Sequence, residues 1–188
     1  MPNYIKNKLI IKGTDEQIKK VKDFLKPKEP TQGENQEESI ALDFNSITPM
    51  PKWVYQGDLG LKETQKYGEE NCWYEWSIKN WGTKWNAFGT SEQGNIIEFE
   101  TAWNGVPELI SKLGIIFPDI EFEYLFADGD IGFNLGKIEF KDTEVTITNF
   151  QAGSKTAQEF ALDLWGCIDE YKWSEKEQGY MPLDYFEE

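Results

Sequence analysis

Four of the eight tryptophans fall within thirteen residues, Trp73 to Trp85, and polar groups stand between them in the run Asn80-Trp81-Gly82-Thr83-Lys84-Trp85-Asn86. Each type has a use in recognition. Trp76, Trp81, Trp85 and the later Trp103 offer flat faces that can stack on a base or similar ring for about 1–3 kcal/mol apiece. Asn80, Asn86 and Asn45 both donate and accept, Thr83 does so through one hydroxyl, and Lys84 supplies a point charge for an anion. Gly82 lets the backbone come close to a ligand and present amides to a phosphate. The set suits a nucleotide or another planar, anionic small molecule. A second arrangement uses the same residues, with the tryptophans filling the gap between a helix and a sheet and the asparagines satisfying loop backbone groups.

Other chemistries find less support. The chain contains neither histidine nor arginine. It thus lacks the commonest neutral-pH base and metal ligand, and the forked donor best suited to phosphate and guanine. Asp128, Asp130 and Asp142 are hard-cation ligand types without a complete coordinating loop, and Asp128-Gly129-Asp130 reads as a hairpin turn. Glu98, Glu100, Glu121 and Glu123 alternate along two strand-like stretches. If those strands are neighbours they form an acidic stripe, with no substrate-binding signature beside it. Cys72 and Cys167 stand alone and read as free thiols. The expectation is a protein that binds rather than catalyses, without cofactor or metal.

Charge narrows the partners. Nineteen lysines against thirty-four carboxylates give a net −15. Residues 1–28 hold eight lysines and three acids (+5), residues 157–188 two lysines and nine acids (−7), and the middle supplies the remaining −13. Such a chain is repelled by nucleic-acid backbones, so direct duplex binding is not expected, whereas a protein with a basic surface is a fitting partner. No stretch is apolar and long enough for a membrane span, and the start lacks a secretion signal, so the expected setting is the cytoplasm. The oligomeric state stays open, because the aromatic tail from Trp173 can dock on its own domain or on a neighbour.

The elements that must position these residues follow from periodicity. Ile5–Lys12 reads as a strand ending at Gly13. Thr14 and Gln17 form a capping box before Ile18, Val21 and Leu25, and Pro27 ends that helix. Residues 28–38 form a polar loop, and Ile40–Phe44 reads as a second strand. Leu59–Asn80 is helical with a break at Gly68, and Gly82 stops it. A strand over Ile96–Trp103 leads to a helix opened by Pro107, with Leu109, Ile110, Leu113 and Ile116 as its buried stripe. Ile120–Asp128 and Ile131–Lys141 make a hairpin and Glu144–Thr148 a further strand. A closing helix, capped by Ser154 or Thr156, presents Ala157, Phe160, Ala161, Leu164, Trp165 and Ile168. The order implies α+β with a mostly antiparallel sheet. Residues 1–150 form the main domain, with a Trp-rich helical insertion at about 52–94, and residues 151–188 add a helix and an acidic, aromatic tail.

Several motifs occur together: Met1-Pro2-Asn3 leading to Asn7-Lys8-Leu9 and Gly13; Phe44-Asn45-Ser46-Ile47-Thr48-Pro49-Met50-Pro51; Trp76 through Ala87; and Phe99-Glu100-Thr101-Ala102-Trp103, Pro107 and Phe117-Pro118. In these the chain resembles the YubB ferredoxin-like family, proteins of unknown function carried by plasmids, phages and bacterial hosts. The resemblance covers roughly residues 1–140. It departs at Tyr4-Ile5, where that family has Trp-Cys. It implies a ferredoxin-like α+β fold and a mobile-element origin, and it supplies no activity. Joined to the charge, it makes the leading expectation an acidic, non-enzymatic inhibitor of a host defence factor, acting in the host cytoplasm. The alternative is a nucleotide-like ligand held or sequestered by the tryptophan cluster.

Overall fold

A computed structural model describes residues 3–28, 40–141 and 144–186. The predicted loop at 28–38, beyond Lys28, and Asp142 lie outside these described residues.

Strand β1 (Tyr4–Lys12) alternates Ile5, Asn7, Leu9 and Ile11, all fully buried, with Lys6, Lys8 and Lys12 on its other face. This period-2 pattern belongs to a strand with two unlike faces. Helix α1 (Asp15–Leu25) starts at Thr14, whose side chain accepts from the Gln17 amide while Gln17 caps the Thr14 amide, as the capping box predicts. The one-turn helix α2 (Phe44–Ile47) follows Asp43, then α3 (Leu61–Tyr67) and α4 (Trp73–Trp81), separated at Gly68 by a short 3-10 turn. The second half runs β2 (Phe88–Gln93), β3 (Ile96–Ala102), α5 (Pro107–Ile116), β4 (Glu121–Asp128), β5 (Leu135–Lys141), β6 (Glu144–Thr148) and α6 (Lys155–Trp165). A hairpin of β7 (Tyr171–Ser174) and β8 (Gly179–Pro182) follows.

The main sheet has the order β2-β3-β1-β4-β5-β6, and every pairing in it is antiparallel. Its first four strands, with α1 and α5, make a β-α-β-β-α-β unit with β1 and β3 central, which is the ferredoxin-like α+β arrangement. Helices α1 and α5 cover one face. There Val21, Leu25, Leu109, Ile110 and Leu113 meet Leu9, Ile97, Phe99, Phe122, Tyr124 and Phe140. On the opposite face α6 covers one end, packing Ala161 and Leu164 on Ala127, while Leu125, Leu135 and Trp165 border the contact.

Three expectations are corrected. Ile40–Phe44 is not a strand: Asp43 accepts from the Asn45 amide and turns the chain into α2. The hairpin between β4 and β5 closes through a longer connection over 129–134, held by Asp128 and Asn134 rather than by a two-residue turn. The four strand glutamates form no free acidic stripe. Strand β1 lies between β3 and β4, and its lysines interleave: Lys6 and Lys8 reach Glu98, Lys12 reaches Glu121, Glu123 and Glu139, and Lys137 reaches Glu123. Glu100 shares this face and is the one of the four without such a pair among the described residues.

Candidate functional site

Helix α4 ends at Gly82, whose φ of 84° is open to glycine at little cost and whose amide bonds back to the Ile78 carbonyl at 3.1 Å. That amide is therefore used within the fold and is not presented to a phosphate. Trp76 and Trp81 point inward and are 7% and 5% exposed. Their rings meet edge to face at 5.4 Å, Trp81 meets Phe44 at 5.8 Å, and its indole N–H donates to the Thr48 carbonyl at 2.9 Å. Asn80 donates to the Trp76 carbonyl of its own helix at 2.8 Å, and the buried Thr83 hydroxyl donates to the Ala102 carbonyl at 2.6 Å.

Asn86 and Asn45 belong to one knot. The Asn86 oxygen accepts from the Phe44 amide at 2.8 Å and the Ala87 amide at 2.9 Å, and its NH2 donates to Asp43 at 2.7 Å. Asn45 donates to the same Asp43 oxygen at 3.0 Å and accepts from the Met50 amide at 2.9 Å. Seven of the ten expected ligand-binding residues thus spend these groups within the fold: Asn80 and Gly82 on finishing α4 itself, and Trp76, Trp81, Thr83, Asn86 and Asn45 on the junction of α2, α4 and β3. The pocket built from all ten is replaced by a packed junction, in which Trp76 and Trp81 at the end of α4 meet edge to face and bury against the core beside Phe44.

Lys84, Trp85 and Trp103 do reach the surface together. Trp85 is 37% and Trp103 36% exposed. The Lys84 ammonium lies 4.5 Å from the Trp85 ring centroid, 5.3 Å from that of Trp103 and 5.7 Å from that of Tyr74. Tyr74 stands edge to face on Trp103 at 6.3 Å, and Phe88 adjoins Trp85 and Tyr4. Tyr74 and Phe88 were not among the expected residues; Tyr74 lies two positions before Trp76, on the outward side of the helix.

Trp103 has a φ of 71°, and the Asn104 amide bonds across it to the Ala102 carbonyl at 2.9 Å, forming a γ-turn of the strained hand. Such a backbone costs on the order of 1–3 kcal/mol, whereas an exposed cation–π contact contributes about 0.5–1 kcal/mol, so the lysine contact alone does not offset it. The turn is also held from both sides. The Trp103 amide donates to the Asn3 carbonyl at 2.9 Å, and Asn134 donates to the Trp103 carbonyl at 2.7 Å.

The remaining reactive groups are occupied elsewhere. Burial pushes the Cys72 and Cys167 thiols above their ordinary value, which leaves them poor nucleophiles. Asp128 accepts from the Asp130 amide and from Asn134, and no group of three metal-ligating side chains occurs among the described residues. The fully buried Tyr124 hydroxyl donates to Asn7 at 2.6 Å and accepts from the Val106 amide at 2.8 Å, and burial raises its ionisation well beyond the usual tyrosine range. A shallow cleft between α1 and the β2–β3 turn is lined by Lys19, Lys22 and Lys26, which pair with Asp23 and Glu92. At the C-terminal end the balance differs. Asp163, Asp169, Glu170, Glu175, Glu177 and Asp184 are all exposed, and among the described residues only Glu177 has an ion pair, with Lys176. No helix among the described residues is long and apolar enough to cross a membrane.

Residues 80–180 match the family model for the ferredoxin-like domain in Api92-like protein. Among solved structures, the crystal structure of a protein Api92 from Yersinia pseudotuberculosis is similar, with a TM-score of 0.50 and 8% identity over 80% of this chain and 99% of that one. At that identity the likeness concerns the fold alone. No curated protein matches. The expected ferredoxin-like kinship holds, under the Api92-like description, and the match runs past residue 140 to include α6 and β7.

Proposed function

This chain belongs to the family of ferredoxin-like domains in Api92-like proteins, and we propose that it is a non-enzymatic binding protein that offers its C-terminal carboxylates to a basic surface on another protein. One observation carries the reading. The carboxylates of the sheet face are mostly neutralised by lysines, whereas those of α6, the β7–β8 hairpin and the following turn stand exposed and largely unpaired. Unpaired surface charge is what steers and orients a charged partner. The hairpin that displays it is anchored: the Tyr180 amide donates to Gln158 at 2.8 Å and its hydroxyl to Glu159 at 2.6 Å, a bond to the carboxylate that raises the hydroxyl to about 12.

The motif resemblance to the YubB family supports a phage or plasmid provenance, and with it inhibition of a basic host defence protein in the cytoplasm as the biological role. The small-ligand reading keeps three of its ten residues, Lys84, Trp85 and Trp103.

The test uses polylysine as a probe of the charged face. The unaltered protein should bind polylysine at about 50 mM salt and release it as salt is raised, and the combined variant Asp163→Asn, Asp169→Asn, Glu170→Gln and Glu175→Gln should lose most of that binding. Neutralising Glu63, Glu69, Glu70 and Glu75 on the helical segment changes net charge equally and should cost less. Equal losses would assign binding to net charge alone. Plating of phages on defence-bearing hosts that express the chain tests the role, and unchanged plating would count against it.

A further inference from the structure

We propose that Tyr74, Trp85 and Trp103 form a cation cage that accepts an alkylammonium group, and that Lys84 is its resident occupant. Three rings stand around one ammonium at 4.5–5.7 Å, and Lys84 has no carboxylate partner in an ion pair among the described residues. Aromatic faces are therefore the charged group's evident protein surroundings, and they attract any cation of suitable size.

The walls do not depend on Lys84. Tyr74 is fixed on α4, and Trp103 is fixed by its γ-turn and by the bonds to Asn3 and Asn134. The Tyr74 and Trp103 planes cross at 82°, which makes a corner rather than a flat wall. Trp85 rests against Phe88. The lysine can leave more easily than the walls can, since its charge sits on a flexible four-carbon stem.

A net charge of −15 concentrates cations at the surface and disfavours the planar anion once expected here. A quaternary ammonium is the better-matched occupant, because it sheds water more readily than a primary ammonium. The inference is independent of the carboxylate surface at the C-terminal end.

Tryptophan fluorescence titration with tetramethylammonium chloride tests it, against sodium chloride at equal ionic strength. Lys84→Gln empties the cage and should bind tetramethylammonium about tenfold more tightly than the unaltered protein. Trp85→Leu in that background should abolish the gain, and circular dichroism with an unchanged denaturation midpoint verifies that it folds. Neopentyl alcohol, the neutral analogue, should leave the signal unmoved. A trimethyl-lysine peptide binding more tightly than the free cation points to a polypeptide source, and equal affinity to a small molecule; either supports the cage. The proposal is overturned if Lys84→Gln gives no gain, if the neutral analogue binds equally, or if AMP binds more tightly than tetramethylammonium.

Discussion

Replacing Asn86 by alanine separates a structural role from a ligand-binding one. The side chain makes three bonds: it accepts from the Phe44 and Ala87 amides and donates to Asp43. Neutral bonds contribute about 1 kcal/mol each and one to a carboxylate about 1.5–3 kcal/mol, so their sum is about 3.5–5 kcal/mol. Asn86 is half-buried, and water recovers part of this, which leaves an expected loss of about 3 kcal/mol. With a urea slope of about 2 kcal/mol/M, the midpoint should fall by about 1.5 M. Asn86→Asp sharpens the test, because it keeps the size but sets a second carboxylate against Asp43. Like charges at that distance cannot both ionise cheaply. This variant should be as unstable as the alanine one at neutral pH and recover as acid protonates the pair. Equilibrium unfolding in urea across a pH series measures both. An alanine variant within about 0.5 kcal/mol of the parent, or an aspartate variant indifferent to pH, would refute the knot as a stabilising device.

Trp81→Phe should cost about 2–4 kcal/mol, through the lost bond to Thr48 and the gap left against Trp76 and Phe44, while Trp85→Phe should stay within about 0.5 kcal/mol; denaturation midpoints give both. Tyr124→Phe strands the Asn7 oxygen and the Val106 amide in the core and should cost about 2–4 kcal/mol, seen as a lowered melting temperature. Partial burial pushes the Glu123 carboxyl up, but Lys137 and Lys12 outweigh this and hold it below its ordinary 4.5. A folded value depressed in this way contributes stability that is present above about pH 4.5 and lost as pH falls through the folded value. Glu123→Gln should therefore flatten the acid limb of the stability curve, and unchanged acid sensitivity would show that the pair contributes little.

Local signals and long-range pairings differ in what a sequence reveals. Thr14 with Gln17, Pro107 as the first residue of α5, Ser154 ahead of α6, and the breaks at Gly68 and Gly82 were legible because caps and breakers act within a few residues. Strand β2 was silent, since an edge strand reading Phe-Gly-Thr-Ser-Glu-Gln buries no regular face. Ala41, Leu42 and Phe44 misled for the opposite reason: they are buried, yet in a loop and a single helical turn. The strand glutamates were placed on the correct face, but their neutralisation required knowing that β1 lies between β3 and β4, which is strand order and not pattern. At the tryptophan run, residue type could not separate inward Trp81 from outward Trp85. The positive φ of Trp103 left no trace either, because no glycine marks it.

Strand β1 is bracketed by β3, about ninety residues later, and by β4, well over a hundred residues later. Strand β1 is therefore made long before either neighbour, and the edge that β4 will pair waits open after β3 has been made. The segment 80–180 matched by the family model therefore lacks a central strand of its own sheet. A fragment begun at residue 80 would hold β3 and β4 with an empty lane between them, each presenting unpaired backbone to it. Such a fragment should aggregate, or recover β1 when it is supplied as a separate peptide.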